Sequence, residues 1–317
     1  MNFWNRRDLH VTDDDGREPP RISRAQWALA AIIVALAAGG IAYRLLVKHR
    51  LEQTSALFIG IPSLVALVLA LTPRAKSIMG IVMKGVTLAL LLSAPLLGEG
   101  FVCILMAAPL FYLVAFLVAF VLKRLRGKPD LGPGGMLGLT LPLVLMSLEG
   151  THPSLSFRRD EAVSAVCRVA GRPEDVERAL AAVPRFGAPL PFYLRLGFPR
   201  PVEARGAGLS PGDERVIHFA GGEGRPGDLR LRVEEHRPGR VVFRAVEDGS
   251  KIAHWLGFRA SEVEFREAGP GETEVRWTIR YERLLDPAWY FGPWERYATR
   301  LAAEYLVETV ATPGAPR

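Results

Sequence analysis

The sequence predicts two structural parts: an N-terminal all-α bundle of transmembrane helices, and a C-terminal α+β domain whose antiparallel sheet is covered by a long helix. Apolar runs of about 20 residues dominate the chain between residues 25 and 148. Beyond residue 158 the chain is rich in Arg and Glu, and its apolar residues recur at every second position. These patterns assign residues 1–24 to a flexible polar tail, 25–150 to the bundle and 151–317 to a water-soluble domain.

Charge and cysteine content exclude several other classes of protein. The net charge is +7, but much of the Lys and Arg excess flanks the apolar runs, so we expect no nucleic-acid binding. The two cysteines, Cys103 and Cys167, lie in different parts of the chain and imply no disulfide framework. No His-x-x-x-His or Cys-x-x-Cys spacing is present, so neither a metal site nor a cofactor is expected.

Four segments are long and apolar enough to cross a membrane as helices, since lipid cannot hydrogen-bond an open backbone. They are 25–47, 54–72, 77–98 and 101–122. Lys84 falls inside the third segment, where it either pairs with Glu99 or, as we favour, extends its long side chain to the headgroups. A fifth segment, 131–148, is uncharged but shorter, and at 1.5 Å per residue it reaches about 27 Å, barely enough to cross.

The distribution of Lys and Arg between the loops places the N-terminus in the cytoplasm. The tail, the loop with Arg74 and Lys76, and the loop that begins at Lys123 carry most of these charges. The side of the soluble domain depends on the fifth segment: the domain is extracytoplasmic if that segment spans, and cytoplasmic if it only dips into the interface. We expect it to span, because an irregular lipid-facing segment is costly. The chain is thus expected to be a multi-pass integral membrane protein.

The C-terminal domain shows the two-residue period of half-buried antiparallel strands. The clearest case is 274–283, where apolar and charged residues alternate. Five further strands are expected at 162–169, 215–220, 228–234, 240–246 and around Val263 and Phe265. A short helix is expected over 173–183, since Pro173 and two acidic residues suit a helix N-terminus, and a long amphipathic helix over 287–312.

An antiparallel sheet with one apolar face needs a cover, which the last helix supplies. A curved sheet closed by a helix encloses a cavity, and such a cavity is the default site for a small molecule. The residues expected to line it are Phe243, Phe265, Trp277, Tyr281, Trp294, Tyr297, Leu301 and Tyr305. The same aromatic side chains could instead fill a solid core.

This domain resembles the START-like or SRPBCC superfamily, whose helix-grip fold includes polyketide cyclase/dehydrase-like and lipid-transfer domains. The resemblance rests on a first strand that leads into 172–177, on late strands that lead to 286–293, and on the long final helix. It covers residues 160–312, about half of the chain. It implies a hydrophobic pocket but fixes no ligand, because the superfamily has no universal catalytic set.

Three functions remain open from the sequence. The first is a membrane-anchored domain that binds a lipid or another hydrophobic small molecule, with the membrane and that molecule as its partners. The second is an enzyme of polyketide cyclase or dehydratase type, for which His254 is the candidate acid or base. The third is a non-catalytic interaction module whose cavity is filled by its own side chains.

Overall fold

The computed structural model describes residues 23–48, 61–73, 75, 77–97, 101–127, 149, 152–221 and 226–314. The part before residue 128 contains four described helices: α1 Arg24–Lys48, α2 Ile61–Leu71, α3 Ile78–Leu97 and α4 Phe101–Gly127. Each lies within or across one of the four predicted apolar segments. The predicted tail, the start of the second segment and the whole fifth segment, 131–148, lie outside the described residues.

The apolar helices pack through a small core. Helix α3 lies against α1, α2 and α4, and Ile33, Ala66 and Ala70 are buried between α1, α2 and α3. The Nζ atom of Lys84 lies 3.0 Å from the Thr72 carbonyl oxygen and 2.9 Å from its hydroxyl. Lys84 therefore caps the C-terminal end of α2, where backbone carbonyls lack helical donors.

One stretch among the described helices, Ile104–Val121 in α4, is both long and apolar enough to cross a membrane. The apolar stretches Arg24–Gly39, Pro62–Leu71 and Ile78–Ser93 are shorter. One described stretch thus has the length and composition of a membrane crossing, and a bundle of four or five crossings stays a prediction.

The C-terminal part contains a seven-stranded antiparallel sheet of order β1-β7-β6-β5-β4-β3-β2. Its elements are β1 Asp160–Ala170, α5 Pro173–Ala181, α6 Phe192–Arg195, β2 Arg200–Arg205, β3 Glu214–Ala220, β4 Gly227–Arg237, β5 Arg240–Asp248, β6 Leu256–Gly269, β7 Glu272–Arg283 and α7 Ala288–Leu306. Helix α7 continues into a π-helical turn, Val307–Ala311. The six predicted strands and both predicted helices are confirmed.

The sequence did not predict strand β2 or the short helix α6. Strand β2 lies at the edge of the sheet, pairs only with β3 and contains Pro201. An edge strand tolerates proline because one of its two sides needs no ladder hydrogen bonds. Its few apolar residues gave no alternating pattern.

The two faces of the sheet differ as the alternation predicted. On the outer face Arg280 pairs with Glu262 at 2.7 Å, and Arg266 pairs with Glu274 at 2.7 Å. On the inner face buried apolar side chains form one core, and α7 packs over β1 and β7. Bulges in β4 and β6 bend the strands, so the sheet curves around the helix. This arrangement fits the helix-grip fold.

Candidate ligand-binding cavity

A cavity of about 690 Å³ lies between the inner face of the sheet and helix α7. Its size is in the roughly 300–1,000 Å³ range of small-molecule sites. The wall is predominantly apolar, which suits a hydrophobic guest. The sheet contributes Ile217, Leu229, Phe243, Trp277 and Ile279, and helix α7 contributes Trp294, Ala298, Ala302 and Tyr305.

The apolar helices form another part of the wall. The α3–α4 hairpin (Ile78–Leu97 and Phe101–Gly127) lines the cavity with side chains that include Leu90, Ile104 and Phe111. Met106 of this hairpin contacts the domain at two points: the Tyr193 hydroxyl donates to its sulfur at 3.5 Å, and the Tyr290 hydroxyl donates to its carbonyl oxygen. The cavity is therefore bounded by both parts of the chain.

An aromatic cluster lies where the hairpin meets the domain. The ring centroid of Tyr193 is 6.3 Å from that of Trp294 and 5.2 Å from that of Tyr297. Burial raises the pKa of Tyr193 to about 12, so its phenol remains a hydrogen-bond donor at neutral pH. The cluster lies at the first turns of α7, and Trp294 is its member that lines the cavity.

The eight residues predicted to line the cavity divide into two groups. Four line it: Phe243, Trp277, Trp294 and Tyr305. Four lie outside its wall: Phe265 and Tyr281, which are buried, and Tyr297 and Leu301, of which Tyr297 is 51% exposed.

Helical geometry explains the division on α7. Trp294, Ala298, Ala302 and Tyr305 recur at intervals of three or four residues and therefore share the face toward the cavity. Tyr297 and Leu301 occupy the neighbouring face. Whether any of the predicted residues binds a ligand stays a prediction.

His254 also lines the cavity, in the 3-10 turn Lys251–His254 that precedes β6. Its side chain is exposed. The imidazole ring forms no hydrogen bond with any described residue, so no such bond fixes its orientation. An acid or base acts best when its orientation is fixed, so the structure gives His254 no particular support as a catalytic group.

Glu295 is a polar wall residue that the sequence analysis did not select. Its side chain is 4% exposed; Oε1 accepts from the Leu285 amide at 3.4 Å, and Oε2 has no partner among the described residues. The hydroxyl of Thr299, one turn further along α7, is likewise buried without a described partner. Burial raises the pKa of Glu295 to about 7. The carboxyl group is therefore able to exchange a proton near neutral pH.

Arg215 is the second polar wall residue that the sequence analysis missed. Its Nη2 atom donates to the carbonyl oxygens of Leu180 and Gly208, the latter at 3.1 Å, and Cζ lies 4.7 Å from the Phe243 ring centroid. Burial lowers the pKa of Arg215 to about 10. In the part of the chain that the structure describes, no carboxylate lies within ion-pair distance of this guanidinium. The sequence did hold one indication: Arg215 is two and four residues from Ile217 and Phe219, so in a strand it points to the same inward face as they do.

The fold and the cavity define a class: a helix-grip type α+β domain with an apolar interior, joined to apolar helices. No protein-family model matches the chain, and no curated protein matches it.

Solved structures with some likeness to the chain include three from different organisms. A START superfamily protein from Mycobacterium smegmatis is 13% identical, with 46% of this chain and 91% of that chain covered and a TM-score of 0.33. The Zhui aromatase/cyclase from a Streptomyces species is 16% identical, with 47% and 85% covered and a TM-score of 0.29. Norcoclaurine synthase from Thalictrum flavum is 11% identical, with 46% and 87% covered and a TM-score of 0.29. At these values the likenesses carry no conclusion about this chain, so its function is argued from the cavity itself.

Proposed function

We propose that the protein binds a lipid or another hydrophobic small molecule in the cavity, and that its apolar helices hold the domain at a membrane. The observation that carries this proposal is the 690 Å³ apolar cavity whose wall includes the α3–α4 hairpin. Burial of an apolar guest gains about 25 cal/mol for each Å² removed from water. A cavity bounded by membrane helices gives a bilayer molecule a short path into the domain.

The exposed surface of the helices supports attachment to a membrane. Leu64 is 61% exposed, Val68 59%, Phe116 48% and Leu113 44%. Soluble monomers seldom expose large contiguous apolar patches, because contact with water is unfavourable. A bilayer around α2 and α4 would remove these side chains from water.

The position of the domain along α4 supports an extracytoplasmic location. Tyr290 contacts Met106, which lies five residues after the start of α4 at Phe101. This end of α4 follows the loop that carries no Lys or Arg, whereas Lys123 and Arg124 lie toward the other end. By the distribution of basic residues, the domain lies on the side opposite the N-terminus.

The contacts of Glu149 support a fifth membrane crossing. Its carboxylate accepts from the Ala288 amide at 3.1 Å, two residues from Tyr290 and hence beside the start of α4. Helix α4 ends at Gly127, about 40 Å away at 1.5 Å per residue. Gly127 and Glu149 therefore lie at opposite ends of α4, which is the placement that a fifth crossing requires.

Labelling in intact cells tests this topology. A cysteine in place of the exposed Ser210, in a variant without the native cysteines, should react with a membrane-impermeant maleimide. A cysteine in place of Arg124 should react only after the membrane is permeabilised. The reverse pattern would contradict the proposed topology.

Native mass spectrometry of the full chain released from lipid nanodiscs tests binding. We expect one hydrophobic molecule to remain bound per chain after the loosely associated lipids have been removed by collisional activation. Release of a ligand-free chain under conditions that preserve the fold would contradict the proposal.

Glu295 favours a second candidate, an enzyme that moves a proton in the cavity. A buried carboxyl with a pKa near 7 is suited to give or take a proton at neutral pH. If the reaction is a dehydration, a Glu295→Gln variant would hold the unconverted substrate, which is heavier by one water than the product held by the wild type. Identical bound masses in the two proteins would argue for binding alone. The third hypothesis required a filled cavity, and the open cavity gives it no support.

A further inference from the structure

Arg215 is a buried cation whose surroundings leave its charge uncompensated. Its side chain is 3% exposed, and its neighbours are two backbone carbonyl groups and the face of the Phe243 ring. These contacts offer partial charges, whereas a buried ion is stabilised best by a full opposite charge. The acidic side chain that interacts electrostatically with Arg215 is Asp213. Its Oδ2 accepts a hydrogen bond from the Ser210 amide at 2.8 Å.

The guanidinium also keeps donors available. Both described hydrogen bonds come from Nη2, and Nε is buried without a partner among the described residues. A guanidinium carries five N–H donors in a fixed plane and forms its strongest hydrogen bonds with carboxylates and phosphates. Arg215 lines the cavity, so a guest in the cavity is the group that can reach it.

Arg215 lies at the end of the cavity that is remote from the α3–α4 hairpin. It donates to Leu180 in the last turn of α5, and α5 packs against the π-helical turn Val307–Ala311. The hairpin contacts α7 at Tyr290, 17 residues before Val307, which corresponds to roughly 25 Å of helix. The wall between these two ends is apolar, with Ile279, Ala298 and Ala302 among its residues.

From this arrangement we infer that the cavity selects a single-chain amphiphile with an anionic head, a carboxylate or a phosphate monoester, held at Arg215 with its chain along the apolar wall. The inference rests on the proposed function and adds the chemical class and the orientation of the ligand. The head would give the buried guanidinium its counter-charge, and the chain would extend toward the hairpin. Neutral molecules of equal length would bury the same apolar surface without this ion pair.

Three ligands with the same chain and different heads separate these possibilities. The full-length protein in nanodiscs is titrated with palmitic acid, hexadecyl phosphate and hexadecanol at about pH 8, where both acids are ionised. Native mass spectrometry gives the bound fraction of each. We expect at least one anionic ligand to bind about tenfold or more tightly than the alcohol, since hydrogen bonds between charged groups are the stronger ones. The affinities of palmitic acid and hexadecyl phosphate then show whether the cavity prefers a carboxylate or a phosphate head.

Substitutions of Arg215 test whether this residue causes the preference for an anionic head. In Arg215→Met the advantage of the anion should fall to near zero while hexadecanol binds as before, and Arg215→Lys should retain part of it. If Arg215→Met does not fold, the affinities of the three ligands for the wild type still show whether the cavity prefers an anionic head. Equal affinity of the wild type for the alcohol and both anions would overturn the inference and leave the proposed function intact. Failure of all three ligands to bind would also overturn the inference, and a ligand-free chain released from the nanodiscs would then overturn the proposed function as well.

Discussion

The guanidinium of Arg283 and the carboxylate of Glu149 lie 3.3 Å apart, with their side chains only 1% and 6% exposed. Arg283 ends strand β7, and Glu149 is the last described residue before the C-terminal domain begins. Arg283 also pairs with Asp286 at 2.6 Å. This buried ion-pair network ties Glu149 to the end of β7 and to Asp286, just before helix α7, the element that covers the cavity.

Replacing Glu149 by Gln should destabilise the C-terminal domain by about 3 kcal/mol, because removal of one partner leaves a buried charge poorly compensated. Chemical denaturation of the full chain in nanodiscs, followed by tryptophan fluorescence, measures the loss. The matched control is Glu304→Gln, whose carboxylate pairs with Arg300 at 3.1 Å on the surface and should cost less than about 1 kcal/mol. Equal effects of the two substitutions would show that the buried pair contributes no more than a surface pair.

The raised pKa of Glu295 makes the stability of the domain depend on pH. The folded-state pKa of about 7 lies above the ordinary value of 4.5, so the folded state favours the protonated carboxyl. Its stabilising contribution is complete below pH 4.5 and is lost as the pH rises through 7. In Glu295→Gln this dependence should disappear, and the difference in unfolding free energy between the two proteins should change by roughly 3 kcal/mol across that range. A constant difference from pH 4.5 to 8 would contradict the assignment.

Filling the cavity should block binding without harming the fold. In Ala302→Trp the indole would occupy the cavity, so the tightly bound molecule should be lost, with a stability change within about 2 kcal/mol. Leu301→Trp is the matched control, since Leu301 lies on the neighbouring face of α7 outside the cavity wall. Native mass spectrometry should show the bound molecule in the control only. Loss of binding in both variants would mean that the ligand contacts Leu301, as the sequence predicted.

The Tyr290 hydroxyl should help to hold the domain against the hairpin. Tyr290→Phe removes its hydrogen bond to the Met106 carbonyl, which contributes about 1 kcal/mol. Hydrogen exchange at the first turns of α7 should accelerate accordingly, by about fivefold. Tyr297→Phe is the control, because its hydroxyl forms no hydrogen bond with the described part of the chain and its side chain is 51% exposed. Unchanged exchange in Tyr290→Phe would show that this contact does not hold the two parts together.

The architecture of the C-terminal domain was predictable because its strands are buried on one face only. Trp277 and Ile279 alternate with Arg276 and Arg280, and this period of two specifies both the strand and its buried side. The last helix was predictable from its apolar stripe. Strand β2 was not predicted, because an edge strand with a proline and mixed exposure has no such period.

The polar groups of the cavity were harder to predict, because periodicity identifies the buried face but not the space beneath it. Glu295 and Arg215 each lie among apolar neighbours on an inward face, and the sequence analysis selected neither of them. Tyr297 and Leu301 were selected by helical spacing, yet a helix has several stripes of that spacing and only the packing decides which faces the cavity. The part played by the α3–α4 hairpin depends on contacts between distant segments, which no local pattern encodes.

The central claim is that a hydrophobic molecule from the membrane occupies the cavity, and photo-cross-linking tests it most directly. The full chain is placed in nanodiscs that contain a fatty acid with a diazirine in its chain, irradiated and mapped by mass spectrometry. We predict cross-links in β7 at Trp277 or Ile279, which line the cavity within the domain. Cross-links confined to outward helix residues such as Phe116 and Phe120 would contradict the claim, because those residues are reached from the bilayer without entering the cavity.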